Sequence, residues 1–155
     1  MSDSNHTLDF LINKDLVQQT LIRVGIYCDQ KRWEEHRKLF MDEVTIDFGG
    51  VKPSQVMKAD DLKEWGIRAY ALVDTQHMFT NQDISINGSS ATATSYGRAL
   101  HKRKDNGESW MIYNQYEHSL VKTSEGWKVS RLKMEVFCQT GNEKLLEETF
   151  AASGS

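Results

Sequence analysis

Between Asn13 and Cys28 the apolar residues Val17, Leu21, Val24 and Cys28 recur every three or four positions, the spacing of one face of an α-helix. Asn13 is read as its N-cap. A second, short helix is expected over 33–40, where Trp33, His36 or Arg37, and Phe40 again share a helical face. Residues 44–48 are β-branched and alternating and run into Gly49-Gly50, which predicts a strand and its end. Asp61 to Glu64 has the spacing of a capping box. Leu62, Trp65, Ala69 and Leu72 then supply the apolar stripe of a third helix ending near Val73.

From residue 75 to 141 the period changes to two, interrupted by turn pairs at Asn87-Gly88, Asn106-Gly107 and Glu125-Gly126. This predicts four consecutive antiparallel strands. In the last of them Leu132, Met134, Val136 and Cys138 are expected on one dry face, and Arg131, Lys133 and Glu135 on the other. A final amphipathic helix is expected over 143–151, carrying Leu145, Leu146, Thr149 and Phe150, before a flexible Ser153-Gly154-Ser155 end. Helices followed by a long meander imply an α+β architecture, in which the sheet buries one face beneath the helices.

Length and composition narrow the picture. The 155 residues suit a single domain, 1–155, with its core in 13–141. The charged fraction of 26% and hydrophobic fraction of 39% are those of a globular chain, and no apolar run approaches a membrane span. The polar N-terminus has no basic start followed by an apolar stretch, so a secretory signal is not expected and a cytoplasmic protein is. A net charge of −3 gives no footprint for nucleic acid, and the basic run Lys102-Arg103-Lys104 passes directly into a hairpin tip. Cys28 and Cys138 are far apart and form no Cys-x-x-Cys pair, so reduced thiols are expected. Phosphate-binding glycine loops, nucleophile elbows and dinucleotide fingerprints are absent from the sequence, and no cofactor is expected.

Polar residues at interior positions carry the candidate chemistry. Asp29 follows the first helix and precedes the second, so it is either a helix cap or the partner of a base. His77, in Thr75-Gln76-His77-Met78-Phe79, is either a hydrogen-bonded core residue or that base. A carboxylate on one imidazole nitrogen fixes the tautomer and raises the basicity of the other. His101 ends a row of small residues, Ala91, Ala93, Ser95, Gly97 and Ala99, that either admits a close helix or leaves room for a ligand. Beside Lys102, His101 itself is either a solvent-exposed strand end or part of that face. Asn114, Tyr116 and His118 are the polar members of a row completed by Trp110, Ile112 and Leu120. They either face solvent or line a cavity, where each needs a hydrogen-bond partner. The histidines lack metal-ligand spacing, and no metal is expected.

The stretches 27–33 (Tyr-Cys-Asp-Gln-Lys-Arg-Trp), 44–48 (Val-Thr-Ile-Asp-Phe), 75–77 (Thr-Gln-His) and 126–129 (Gly-Trp-Lys-Val), in this order and spacing, resemble the SnoaL-like group of the nuclear-transport-factor-2-like superfamily. The resemblance covers residues 16–141 and implies a cone-shaped fold, its helices packed on a strongly curved sheet that encloses a pocket. In the dehydratase and dehydrochlorinase members, an aspartate ending the first helix and a histidine on the strand after the third helix form a general-base dyad. Asp29 and His77 match those positions, and His101 matches a second histidine of the dehydratase. Cys28 and Phe48 stand where the dehydratase has tyrosines, and the chloride-assisting lysine of the dehydrochlorinase falls near Val24.

The resemblance implies a small-molecule lyase or isomerase with Asp29, His77 and His101 as catalytic residues. Tyr27, Phe48, Phe79, Asn114 and Tyr116 would contact a hydrophobic or aromatic substrate. The alternative is a non-catalytic binding or assembly module holding a hydrophobic metabolite. A homo-oligomer is expected in either case, a dimer before a trimer.

Overall fold

The computed structural model describes residues 2–48 and 54–152, with side chains from Thr7 onward. Gly49-Gly50 and Ser153-Gly154-Ser155 lie outside the described residues. Along the chain come α1 (Ser2–Asp29), α2 (Trp33–Arg37), β1 (Phe40–Asp47), β2 (Gln55–Lys58), α3 (Ala59–Ala69), β3 (Val73–Asn87), β4 (Ser90–Arg103), β5 (Ser109–Thr123), β6 (Gly126–Gly141) and α4 (Leu145–Ala152). The strands form one open sheet in the order β2-β1-β6-β5-β4-β3. All neighbours are antiparallel except β1 and β6. This is the expected α+β architecture, a curved sheet under helices. None of the described helices is long and apolar enough to cross a membrane.

The predicted face of α1 is the buried one: Val17, Leu21, Val24 and Cys28 are each at most 8% exposed. The helix begins earlier than expected because Asn13 does not cap it. Its amide donates to the Asp9 carbonyl one turn back at 2.7 Å and its oxygen accepts from the Trp127 indole at 3.1 Å, so Asn13 ties the middle of α1 to β6. The second helix is shorter than 33–40. The Leu39 carbonyl accepts the Val129 N–H at 2.8 Å, which draws the chain into extended pairing with β6, and Phe40 opens β1 instead.

The short β2 was not predicted. It is a four-residue edge strand paired with β1, with Met57 packed against the core. α3 starts two residues before Asp61, no side chain caps it, and Asp60 instead meets Arg37 at 2.9 Å. It ends at Ala69, four residues short of Val73. Gly66 is required there, since a Cβ would press into the Trp33 ring.

The hairpins turn at Gly88, Gly107 and Gly126, all with positive φ, as the turn pairs predict. Curvature comes from extra residues in the ladders. In β3 the register shifts between Thr80 and Asp83, beside Asn81 at φ 53°. In β6 it shifts opposite Ser119/Leu120 and Tyr113/Asn114. The second of these corrects the expected dry face: Val136 pairs with Asn114 and Cys138 with Tyr113, so Phe137 is the inserted residue and the alternation inverts. Leu132, Met134 and Val136 keep the inner side, Cys138 is exposed on the outer side, and Gln139 returns inward.

The concave side carries two apolar clusters. One joins Val17, Leu21 and Val24 of α1 to Phe40, Val44, Ile46, Leu120, Trp127 and Val129. The other joins Cys28, Ala69, Tyr70, Val73 and Leu145, with Trp33, Trp110 and Phe150 packed against them. A cavity of about 810 Å³ is bounded by residues from both clusters.

Candidate active site

Asp29 ends α1 beside the start of β3. Its Oδ1 lies 2.7 Å from His77 Nδ1 and accepts the Thr75 hydroxyl at 2.9 Å, while its Oδ2 accepts the His77 backbone N–H at 2.8 Å. Lys31, held at φ 57° just after the helix, donates to the Thr75 hydroxyl at 3.2 Å. Asp29 is therefore not the cap of α2, whose N-cap position is Arg32. A carboxylate on Nδ1 assigns the ring proton to that nitrogen and leaves Nε2 with its lone pair. His77 lines the cavity.

His101 is 2% exposed rather than at a solvated strand end. Its ring centroid is 5.7 Å from that of His77, and it lies between Tyr70 at 5.7 Å and Trp110 at 4.9 Å. Burial, reinforced by the neighbouring His77, pushes its pKa down to about 4. His36, the member of the His36/Arg37 pair that turns inward, is also pushed to about 4, chiefly by burial. Near neutral pH both rings are uncharged donors and acceptors on the cavity wall.

Tyr116 is 7% exposed, and its ring meets Phe79 edge to face at 4.9 Å. Burial raises its pKa to about 12, with the Asn114 amide acting in the opposite direction, so it stays a phenol. Asn114 and His118 are at most 1% exposed but do not reach the cavity wall. Among the described residues, neither amide atom of Asn114 nor either ring nitrogen of His118 has a hydrogen-bond partner in standard geometry. The row of small residues on β4 makes room for this layer: a Cβ on Gly97 would run into Asn114 Oδ1 and the Tyr116 ring.

Of the predicted contact residues, Phe48, Phe79 and Tyr116 line the cavity. Asn114 lies behind Tyr116, and Tyr27 is turned away. One residue before Cys28 on a helix is a rotation of about 100°, and Tyr27 lies under the Arg32 guanidinium at 4.2 Å instead. Trp110, of the row expected to line a cavity or face solvent, is on the wall with Tyr70, and Cys28, Trp33 and His36 join them without having been given a contact role from the sequence. Burial pushes the Cys28 thiol up to about 12. Among the described residues the lining includes no lysine or arginine, whereas Glu143 and Glu147, both exposed, contribute from the α4 side.

A family model described as a SnoaL-like domain matches residues 11–133. The chain belongs to the SnoaL-like family. No curated protein gives a significant match. Among solved structures, the SnoaL-like chain is similar to the Kfla4162 protein of Kribbella flavida, with 23% identity, a TM-score of 0.81, and 88% of this chain and 97% of the other covered. A Novosphingobium aromaticivorans protein provisionally named a scytalone dehydratase is 19% identical, with a TM-score of 0.78 over 92% and 93% of the two chains. The hexachlorocyclohexane dehydrochlorinase LinA-type3 of Novosphingobium barchaimii is 17% identical, with a TM-score of 0.72 over 88% and 94%. At these identities the likeness establishes the shared cone-shaped fold.

Proposed function

We propose that this SnoaL-like chain, working as one domain, is a lyase or isomerase acting on an uncharged, hydrophobic small molecule, with His77 as general base. The observation that carries the proposal is the 2.7 Å contact between Asp29 and His77 on the wall of an apolar cavity of about 810 Å³. Cavities of this size suit a drug-sized ligand.

His77 Nε2 takes a proton from a carbon next to a carbonyl, and the Asp29 carboxylate stabilises the imidazolium that forms. Charge moves onto the carbonyl oxygen. Neutral donors on the wall, the Tyr116 phenol and the His101 ring, are suited to hold that oxygen without surrendering a proton to water. In an elimination the imidazolium returns its proton to the departing hydroxyl, releasing water. In an isomerisation it returns the proton to a different carbon. Either way His77 ends neutral and no outside acid is consumed.

Among the described residues the wall presents no lysine or arginine to match an anionic substrate, and Glu143 and Glu147 would repel one. A neutral carbon acid such as 2-tetralone is therefore the appropriate probe, with 2-naphthoate as its charged counterpart. In deuterated water the protein should accelerate exchange of the activated hydrogens of the ketone. Binding of such ketones without any acceleration would favour the non-catalytic binding module.

A further inference from the structure

We infer that Cys28, Asp29 and His77 together form a binding site for a thiophilic divalent cation of the zinc class, and that its occupation switches off the base. The second half rests on the reading of His77 above; the first does not.

A thiol sulfur, a carboxylate oxygen and an imidazole nitrogen from these residues all lie within 4.8 Å of one another. With zinc bonds of about 2.0–2.3 Å, ligand atoms around a tetrahedral ion are roughly 3.3–3.8 Å apart. The trio would have to draw in from within 4.8 Å to that spacing to close on an ion. Cys28 and His77 both belong to the cavity wall, so a fourth position opens toward the cavity, where water completes the shell.

Charge and protons balance. The ion displaces the Cys28 thiol proton to solvent, and the ring proton of His77 moves from Nδ1 to Nε2 as Nδ1 turns from Asp29 to the metal. Thiolate and carboxylate then carry two negative charges against the two positive charges of the ion, and the imidazole stays neutral. Nε2, now protonated, has no lone pair with which to take a proton from carbon.

The last turn of α1 carries no basic residue, and the negative end of the helix dipole favours a cation there. Lys31 opposes it from the far side of Thr75, and the rings facing the site, Tyr70 and His101, are neutral. The site is accordingly weaker than a four-ligand structural zinc centre. The pairing was hidden in the sequence because Cys28 and Asp29 are adjacent while His77 is contributed by β3.

The test is a cobalt titration of the metal-free, reduced chain, followed by absorption. Cobalt on a thiolate gives an intense sulfur-to-metal charge-transfer band. Expected are that band in the wild type, one proton released per ion, and bleaching by zinc. Cys138→Ser should behave identically. Cys28→Ser should lose the band, Cys28→Ala serving if the serine variant does not fold, and His77→Gln should bind roughly tenfold more weakly or worse. Absence of the band in the wild type, or its survival without Cys28, would overturn the site. Zinc should also stop ketone exchange and a chelator restore it; exchange that continues with zinc bound would overturn the switch. If the metal-free protein shows no exchange at all, the function assignment fails, and the cobalt spectra still decide the site.

Discussion

The Asp29 carboxylate accepts from His77 twice, at the ring Nδ1 over 2.7 Å and at the backbone N–H over 2.8 Å. One side chain at the end of α1 thus fixes both the imidazole and the strand that carries it. Thr75 and Lys31 extend this arrangement on the other side of the carboxylate. Orientation of the ring is built into the junction between helix and sheet.

Asp29→Asn should lower both stability and activity. The amide nitrogen must face one of three donors, and an unsatisfied buried group costs about 1–3 kcal/mol. Urea unfolding should show a loss of that size. The residual reaction rate should exceed that of a His77 variant, since the ring keeps a hydrogen-bond partner.

Thr75→Val tests whether the extension matters. It removes one hydrogen bond to Asp29 and the Lys31 anchor, and should cost about 1 kcal/mol of stability with a fall in kcat larger than any change in KM. Equal kinetics in the two proteins would restrict Thr75 to a structural role.

The broad architecture was legible because α1 and the meander carry uninterrupted periodicity. Val17 to Cys28 mark one helix face, and the rows Ala91 to His101 and Trp110 to Leu120 mark one sheet face. The Asp29 and His77 pair was legible only through resemblance, since nothing in the spacing brings residues 29 and 77 together. Cys138 was misplaced because a one-residue insertion at Phe137 inverts alternation without any turn residue to announce it. β2 escaped because it has only four residues, of which Met57 alone is partly buried. Tyr27 was grouped with the pocket because it stands one step from the position of a family tyrosine, whereas helical geometry turns it toward Arg32.

Acid should destabilise the fold through its buried histidines. The pKa values of His36, His101 and His118 are about 4 in the folded chain, against about 6.5 when unfolded. Between those values the unfolded chain binds more protons, so stability falls as pH drops from about 6.5 toward 4 and is unaffected by these groups above that window. Each contributes on the order of 3 kcal/mol at the lower end. Urea midpoints should decline steeply from pH 6.5 to 4.5, and His118→Phe should flatten the slope by about one third.

Gly97→Ala should destabilise the chain by about 1–3 kcal/mol, because the new methyl group meets Asn114 and Tyr116. Thermal unfolding reads this directly. If Tyr116 holds the developing oxyanion, the same variant should slow the reaction as Tyr116→Phe does.

Self-association should use the outer face of the sheet. Met78, Tyr96 and Phe137 are between 46% and 63% exposed there, and Leu132, Met134 and Val136 are already committed to the cavity. Sedimentation should show a dimer, with a trimer as the next choice, and Phe137→Glu should shift it toward monomer. A monomer at tens of micromolar in the wild type, about the Kd of a weak interface, would contradict this.

The most direct test of the dyad compares wild type and His77→Gln for deuterium uptake by 2-tetralone, with thermal unfolding showing that both are folded. Glutamine leaves a polar partner for Asp29 but offers no basic nitrogen. The account predicts acceleration by the wild type and a loss of about 10²–10⁴-fold in the variant. Equal acceleration by the two proteins would show that His77 is not the base.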